Sequence, residues 1–448
     1  MNRHYRQILL LAAGLVLLLA PCTAAEVKHL TLPEAVRLAL SQNRALKIAR
    51  LRIVEGERKK DGARASYFPE IKSHASFFHT TSEQKIDIPA GASGILPSAG
   101  PVPTHDVVIK QGHESLVVAG TTATQPLTPL LRIRQANRIA SSEVAASRHE
   151  LKKAESEIAV GVHELYFGIL IAQAQRQAAE LESSYAGARL KESEEDVRNG
   201  SALKVAAMEG KAALLQSRQA VLAAKVRVAD LTMELNEVLG LPLNTELELA
   251  AAPAGSDPGP REDYVRAAVS DNPGILAAQE TVRQAQAAVT AAKSTYIPDV
   301  AIFARQSYQN GVPFLVHNFG SFGVNLGYDL FDFGKRRSEI REREAKLAQA
   351  RENLQRLKDS ISVQVDRYYN KAELARHMTE VAEEVVQVRA EGERLAKNQS
   401  EQGSVLESSK AQAAAAHLKA KADLLQAQLA DLTARAELEQ AAGRTPGQ

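Results

Sequence analysis

The chain has 448 residues, 45% of them hydrophobic, and a formal net charge of +2. That apolar content supports a substantial core, while the near-zero charge and an aromatic share of 4% without tryptophan argue against a nucleic-acid surface. Cys22 is the one cysteine, so no intramolecular disulfide is available.

The first element is a secretory signal, assigned to residues 1–25. Arg3 and Arg6 precede a thirteen-residue uncharged apolar run, Ile8 to Ala20. A helix needs ~20 residues to span a bilayer, so the run reads as a leader, not an anchor. Thr23-Ala24-Ala25 suits cleavage before Glu26. No later stretch approaches ~18 consecutive apolar residues, and the mature chain is expected to lack a transmembrane helix. Two readings stand for Cys22. It leaves with the signal, or Leu19-Ala20-Pro21-Cys22 is a lipoprotein-type cleavage site whose small residue is replaced by Pro21.

The rest of the chain uses one plan twice. An offset of 229 carries Glu34 to Asp263, Val36 to Val265, Asn43 to Asn272, Tyr67 to Tyr296 and Pro69 to Pro298. Later the offset is 203, carrying Leu127 to Leu330, Arg134 to Arg337, Gly200-Ser201 to Gly403-Ser404 and Gly240 to Gly443. The two offsets differ by 26 residues, which the first copy inserts between Pro69 and Leu127. The copies are residues 26–240 and 262–443, joined by a Pro/Gly-rich linker at 241–261 and followed by a tail at 444–448.

Each copy opens with a predicted helix, over 32–66 and 262–294, stopped by Tyr-x-Pro because proline disfavours helix at the residue before it. Two strand-like segments follow. In the first copy Ile71, Ala75 and Phe77, then Leu116 and Val118, are the candidates. Residues 80–115 between them read as an extended external loop. In the second copy Val300, Ile302 and Ala304 begin a weak alternation, and residues 319–331 alternate clearly. Phe322, Val324, Leu326, Tyr328 and Leu330 fall on one side there, and Gly323, Asn325, Gly327 and Asp329 on the other.

Long helices come next, over 132–198 and 335–400. Their apolar residues recur at spacings of three and four, as in Leu354, Leu357, Ile361, Val365, Tyr368 and Ala372, or Ile158, Val162, Leu165 and Ile169. At ~1.5 Å per residue each is roughly 100 Å long. A Gly-Ser break then leads into a second helix, over 203–239 and 406–442.

Periodicity alone suits an ordinary coiled coil. The strands are about as long as the ~10 residues a transmembrane β-strand requires. Four strands cannot close a membrane barrel, and an open sheet edge in lipid is costly. Two readings are therefore open on physical grounds: a barrel shared between several copies, or a small soluble β-domain on a coiled coil.

The mature chain resembles the TolC-like outer-membrane efflux proteins. The resemblance rests on Leu30-Thr31-Leu32-Pro33-Glu34-Ala35-Val36, Tyr67-Phe68-Pro69, Tyr296-Ile297-Pro298, the run Leu330-Phe331-Asp332-Phe333-Gly334-Lys335-Arg336 and the paired Gly-Ser breaks. It implies a mainly α fold with a small β part. Duplicated long-helix hairpins would build a periplasmic α-barrel. Each chain of a homotrimer would lend four strands to one twelve-stranded outer-membrane β-barrel. Phe322, Val324, Leu326, Tyr328 and Leu330 would then meet outer-membrane lipid, and Asn325 and Asp329 the lumen. The linker would lie in an equatorial belt outside the tunnel.

The resemblance also implies a function. The chain would be a passive exit duct of a tripartite efflux or type I secretion system. An inner-membrane pump would energise it through a periplasmic adaptor, docked at Arg198, Asn199, Gly200, Ser201, Gln402, Gly403 and Ser404. The family closes its aperture with acidic residues six and nine positions beyond the tip glycine of the second copy. Here those places hold Ser409 and Gln412, and the first copy has Ala206 and Glu209, so the acidic ring is largely missing.

No catalytic constellation is present, and no cofactor is expected. His163-Glu164 lacks the second histidine of a zinc-protease motif. His74, His79, His105 and His113 gather in the first strand region, as metal contacts or as a polar surface loop. The alternatives to a channel are a periplasmic adaptor, which normally has one hairpin where this chain has two, and a soluble structural coiled coil.

Overall fold

The computed structural model describes residues 27–82, 85–110, 114–250, 259–311, 316–402 and 407–445. The signal segment with Cys22, His113, Gly403, Ser404 and the last three residues of the tail lie outside the described residues. The described chain forms two compact units. One is drawn from 1–51, 149–276 and 356–448, the other from 52–148 and 277–355.

In chain order, β1 (Val27–Leu30) leads into α1 (Leu32–Gln42) and α2 (Arg44–Ala65). Then come β2 (Glu70–His79), β3 (Lys85–Ile88), β4 (Ile95–Leu96), β5 (Gly100–Pro101), β6 (Val107–Lys110) and β7 (Ser115–Pro126). The long α3 (Leu130–Arg198) and α4 (Lys204–Leu239) follow, then β8 (Glu246–Leu249). The second copy supplies α5 (Arg261–Asp271), α6 (Pro273–Lys293), β9 (Asp299–Asn310), β10 (Asn318–Gly327), α7 (Lys335–Glu401) and α8 (Glu407–Ala441).

The predicted opening helix of each copy is in fact two helices, broken at Asn43 and at Asn272. The matched asparagines do the same work. Asn43 Oδ1 accepts from the N–H groups of Ala45 (2.8 Å) and Leu46 (3.3 Å), capping α2, while its Nδ2 donates to the Val238 carbonyl at 2.9 Å. Asn272 Oδ1 accepts from Gly274 (2.9 Å) and Ile275 (3.3 Å), and its Nδ2 donates to the Ala441 carbonyl at 2.9 Å. Each side chain starts one helix and ties it to the end of another.

Those partner helices end alike. At the end of α4, Gly240 takes φ +72, its N–H donates to the Glu237 carbonyl and that of Leu241 to Asn236. At the end of α8, Gly443 takes φ +83, with Gly443 donating to Gln440 and Arg444 to Glu439. This left-handed stop satisfies carbonyls that the helix leaves open. A β-carbon on Gly443 would stand 2.5 Å from the Asp271 carbonyl, so only glycine lets α8 end against α5.

The first unit has its core around Tyr166, Phe167, Ile169, Val162, Leu235 and Leu239, all essentially buried. Residues 241–261, read as a linker and equatorial segment, contain β8, which pairs in parallel with β1 from Val27↔Glu246 to Leu30↔Leu249. The Tyr166 hydroxyl lies 3.0 Å from the Leu30 carbonyl and 2.6 Å from that of Ala250, so the core tyrosine holds both strands. An eighteen-residue stretch within α3 is, by length and composition, apolar enough to cross a bilayer, but half of it is buried.

The second unit carries a four-stranded antiparallel sheet in the order β10-β9-β7-β2. The inserted segment is not a featureless loop. It holds two short antiparallel pairs, β3 with β6 and β4 with β5. The last strand is shorter than its sequence pattern and stops at Gly327, so Tyr328 and Leu330 lie beyond it. Its partner β9 starts at Asp299, opposite Gly327, and the preceding Pro298 has no N–H to extend the ladder.

Replacing Asn272 with Ala should lower the melting temperature of the detergent-purified protein, because three hydrogen bonds go at once, a loss of about 1–2 kcal/mol. Asn272→Asp keeps the cap and loses only the donor, so it should fall less. Equal losses in the two variants would show that the cap contributes nothing.

Candidate functional site: a two-faced sheet and its helical extensions

Register decides what each face of the sheet carries. Residues directly opposite one another share a face. The pairs Phe77↔Val117, Ala75↔Ala119 and Ile71↔Ala123 put those side chains together. Ala123↔Ala304 and Ala304↔Phe322 extend that face to β10, beside Ile302↔Val324 and Val300↔Leu326. One face is therefore mainly aliphatic and aromatic. The sheet brings Phe322, Val324 and Leu326 onto it, exposed by 90%, 67% and 68%. Four of its polar interruptions bond in pairs: the hydroxyls of Ser73 and Thr121 are 3.0 Å apart, and Gln306 Nε2 donates to Asn318 Oδ1 at 2.6 Å.

Leu116 and Val118 do not join this face. They pair with Phe78 and Ser76, on the opposite side from Ile71, Ala75 and Phe77. Both parities of β7 contain apolar residues, so its sequence alone does not choose between them. The second face carries Lys72, His74, Thr122, Thr124, Arg305 and Asn325, with Phe303 and Phe78 among them.

Tyr328 takes part in the turn from sheet to α7. Asp332 Oδ1 accepts from the Gly334 N–H at 3.0 Å and Oδ2 from the Arg336 N–H at 3.1 Å, capping the helix. The Arg336 guanidinium closes the same cap from its Nε to Asp332 Oδ2 at 2.7 Å. It also donates to the Asp329 and Thr295 carbonyls, with its carbon 4.9 Å from the Tyr328 ring centre and 5.7 Å from that of Tyr296. Arg336 is only 14% exposed at its side chain, unlike Lys335. The predicted basic cluster thus separates into one structural guanidinium and solvated neighbours. The hydrogen bond from Arg336 and the capped N–H groups hold the Asp332 carboxyl below the usual carboxylate range. Phe333 sits at φ +52, an unusual conformation for a bulky residue, and its exposed ring packs edge-on against Phe331 at 4.7 Å.

At the first hairpin tip, Arg198, Asn199, Gly200 and Ser201 are all exposed. Gly200 has φ +75, and the Ser201 N–H and hydroxyl both donate to the Asp196 carbonyl at 2.9 Å. That is a helix stop of the same kind as Gly240. Sequence reasoning passed over Leu203, Val205 and Met208 beside it, which are 80%, 59% and 65% exposed. Gln402 is exposed at the second tip. Ala206 and Ser409 are half-buried, and Glu209 and Gln412 exposed.

Among the described residues, no group of three or more His, Cys, Asp or Glu could hold a metal ion. His79 bonds Ser115 and His105 bonds Thr104, each within the first strand region. His163 is buried in the first unit, and that burial lowers its pKa.

Below the ordinary carboxylate value of ~3.9, the stability supplied by a depressed carboxyl fades as pH falls through its own lower pKa. The melting temperature of the native chain should therefore drop more steeply than that of Asp332→Asn as pH is taken from 5 toward 2. Parallel pH profiles would show that the Asp332–Arg336 pair contributes nothing to stability.

The outer membrane efflux protein family matches residues 35–241 and 265–444. No curated protein sequence matches the chain. Among solved structures, the CmeC outer membrane channel of Campylobacter jejuni is similar at 16% identity, with 92% of this chain and 85% of that one covered and a TM-score of 0.74. VceC of Vibrio cholerae, an outer membrane protein, is similar at 17% identity, with 92% and 96% covered and a TM-score of 0.71. The open-state MtrE outer membrane channel of Neisseria gonorrhoeae gives 17% identity, 92% and 89% covered, and a TM-score of 0.67. Family and fold are those of channel proteins, not enzymes. The chain belongs to the outer membrane efflux protein family and is an outer-membrane exit duct that reaches into the periplasm.

Proposed function

We propose that the working duct is a homotrimer whose twelve strands close one barrel in the outer membrane. The observation that carries this is a four-stranded sheet with one mainly apolar face and two open edges, β10 and β2. Each unpaired backbone group in lipid costs several kcal/mol, so these edges must find partners. About eight strands is the smallest barrel that packs, and four cannot close. Pairing β10 of one copy with β2 of the next satisfies every edge by symmetry. Phe322, Val324 and Leu326 then face lipid, and Tyr328 and Leu330 stand at the periplasmic border.

The two copies, 26–240 and 262–443, act as equivalent halves of each protomer around the segment 241–261. Their hairpin tips dock a periplasmic adaptor, which joins the duct to an inner-membrane pump. Arg198, Asn199, Gly200, Ser201 and Gln402 are the described contact positions, with Gly403 and Ser404 their extension. The exposed apolar run of Leu203, Val205 and Met208 supports a protein partner at the first tip. The pump supplies the energy, and the duct makes or breaks no bond.

Purified mature protein should give stable conductance steps in planar bilayers, and Val324→Asp/Leu326→Asp should abolish them. Steps that persist in the double variant would remove that face from the lipid. Ser409 and Gln412 stand where a carboxylate gate is expected, so a trivalent cation added on the periplasmic side should block the current only weakly. Strong block would show that another acidic constriction exists.

A further inference from the structure

The four strands contain only two carboxylates, Glu70 and Asp299, and each is the first residue of its strand. Both are already paired with cations. Glu70 lies 2.9 Å from Lys72 Nζ, and Asp299 lies 2.6 Å from Arg132. Beyond those first residues the permanently charged side chains of the sheet are Lys72 and Arg305. They do not lie at random. Lys72 is opposite Thr122, Thr122 is opposite Arg305, and Arg305 is opposite Ser321, so both cations stand in one cross-strand row. The row is on the polar face, and both side chains are exposed. Arg305 Nε donates to the Thr122 hydroxyl at 3.1 Å, and its guanidinium carbon is 6.0 Å from the Phe303 ring centre. Neither contact neutralises its charge.

Given the barrel reading, on which this rests, the polar face lines the lumen. We infer that Arg305, in one row with the Glu70-paired Lys72, forms a cationic collar that makes the membrane segment of the duct favour anions over cations. Three copies place three uncompensated guanidinium charges, one Arg305 each, around the pore beside three Lys72–Glu70 pairs, and the four strands of the sheet carry no carboxylate further out. Low-dielectric walls focus such a field on the aqueous path. The class of cargo that benefits is small or extended solutes bearing net negative charge. Positively charged solutes meet a barrier at the same level.

The test is the reversal potential of purified trimers in a planar bilayer under a potassium chloride gradient. The native protein should reverse on the anion-selective side. Lys72→Gln/Arg305→Gln should lower the chloride-to-potassium permeability ratio by about fivefold, the factor that one unit charge in water exerts on an ion ~4 Å away. Arg305→Glu should carry the preference toward potassium. Lys72→Gln alone, which leaves the Arg305–Thr122 contact intact and Glu70 without its cation, should give a smaller shift in the same direction. Raising the salt at a fixed gradient should shrink all of these differences through screening. Clear conductance steps with the same reversal potential in native and variant proteins would overturn the collar and leave the duct standing. A protein that forms no channel at all would overturn the duct and the collar together.

Discussion

A polypeptide backbone in hydrocarbon has no water to bond, and every N–H and C=O must find a partner in protein. That constraint organises this molecule. Four strands of ten to twelve residues satisfy one another internally, but β10 and β2 each keep an open edge. Neither the length of the strands nor their two-faced pattern makes sense for a solitary chain in lipid. Closure by symmetry, as proposed above, would meet the constraint without adding strands to the sequence.

The same constraint governs how the sheet hands over to helix. At Gly327 the ladder ends, because Pro298 has no N–H to continue it. The chain then has a few residues in which to start α7. Asp332 accepts the first free N–H groups, and Arg336 gathers two loop carbonyls and the Asp332 carboxylate under the rings of Tyr328 and Tyr296. One guanidinium thus meets several acceptors that neither sheet nor helix can serve. The left-handed Phe333 is held within this tightly bonded turn.

In the first unit the recurring device is the asparagine that ends one helix segment and begins another. Asn43 and Asn272 occupy matched places in the two copies, and each binds the terminus of the returning helix, at Val238 or Ala441. The left-handed glycines at 240 and 443 complete both junctions. The matched positions share a hydrogen-bond pattern as well as a sequence pattern. The short sheet of β1 and β8 belongs to the first copy and the segment after it, tied down by Tyr166.

The sequence by itself determined the lengths of the long helices, the Gly200 stop and the family. These are local or periodic properties: a spacing of three and four, a glycine able to take positive φ, a proline that ends a helix. It also marked Phe322, Val324 and Leu326 as one set, because alternation has a period of two wherever the strand lies. Only the tertiary structure decided which parity of β7 shares a face with Phe77, since both parities are apolar and register depends on the partner strand. The breaks at Asn43 and Asn272, the strand β8, and the row that unites Lys72 with Arg305 likewise depend on residues far away in the chain. Periodicity describes a segment; a hydrogen bond across 169 or 195 residues is settled by the fold that brings its ends together.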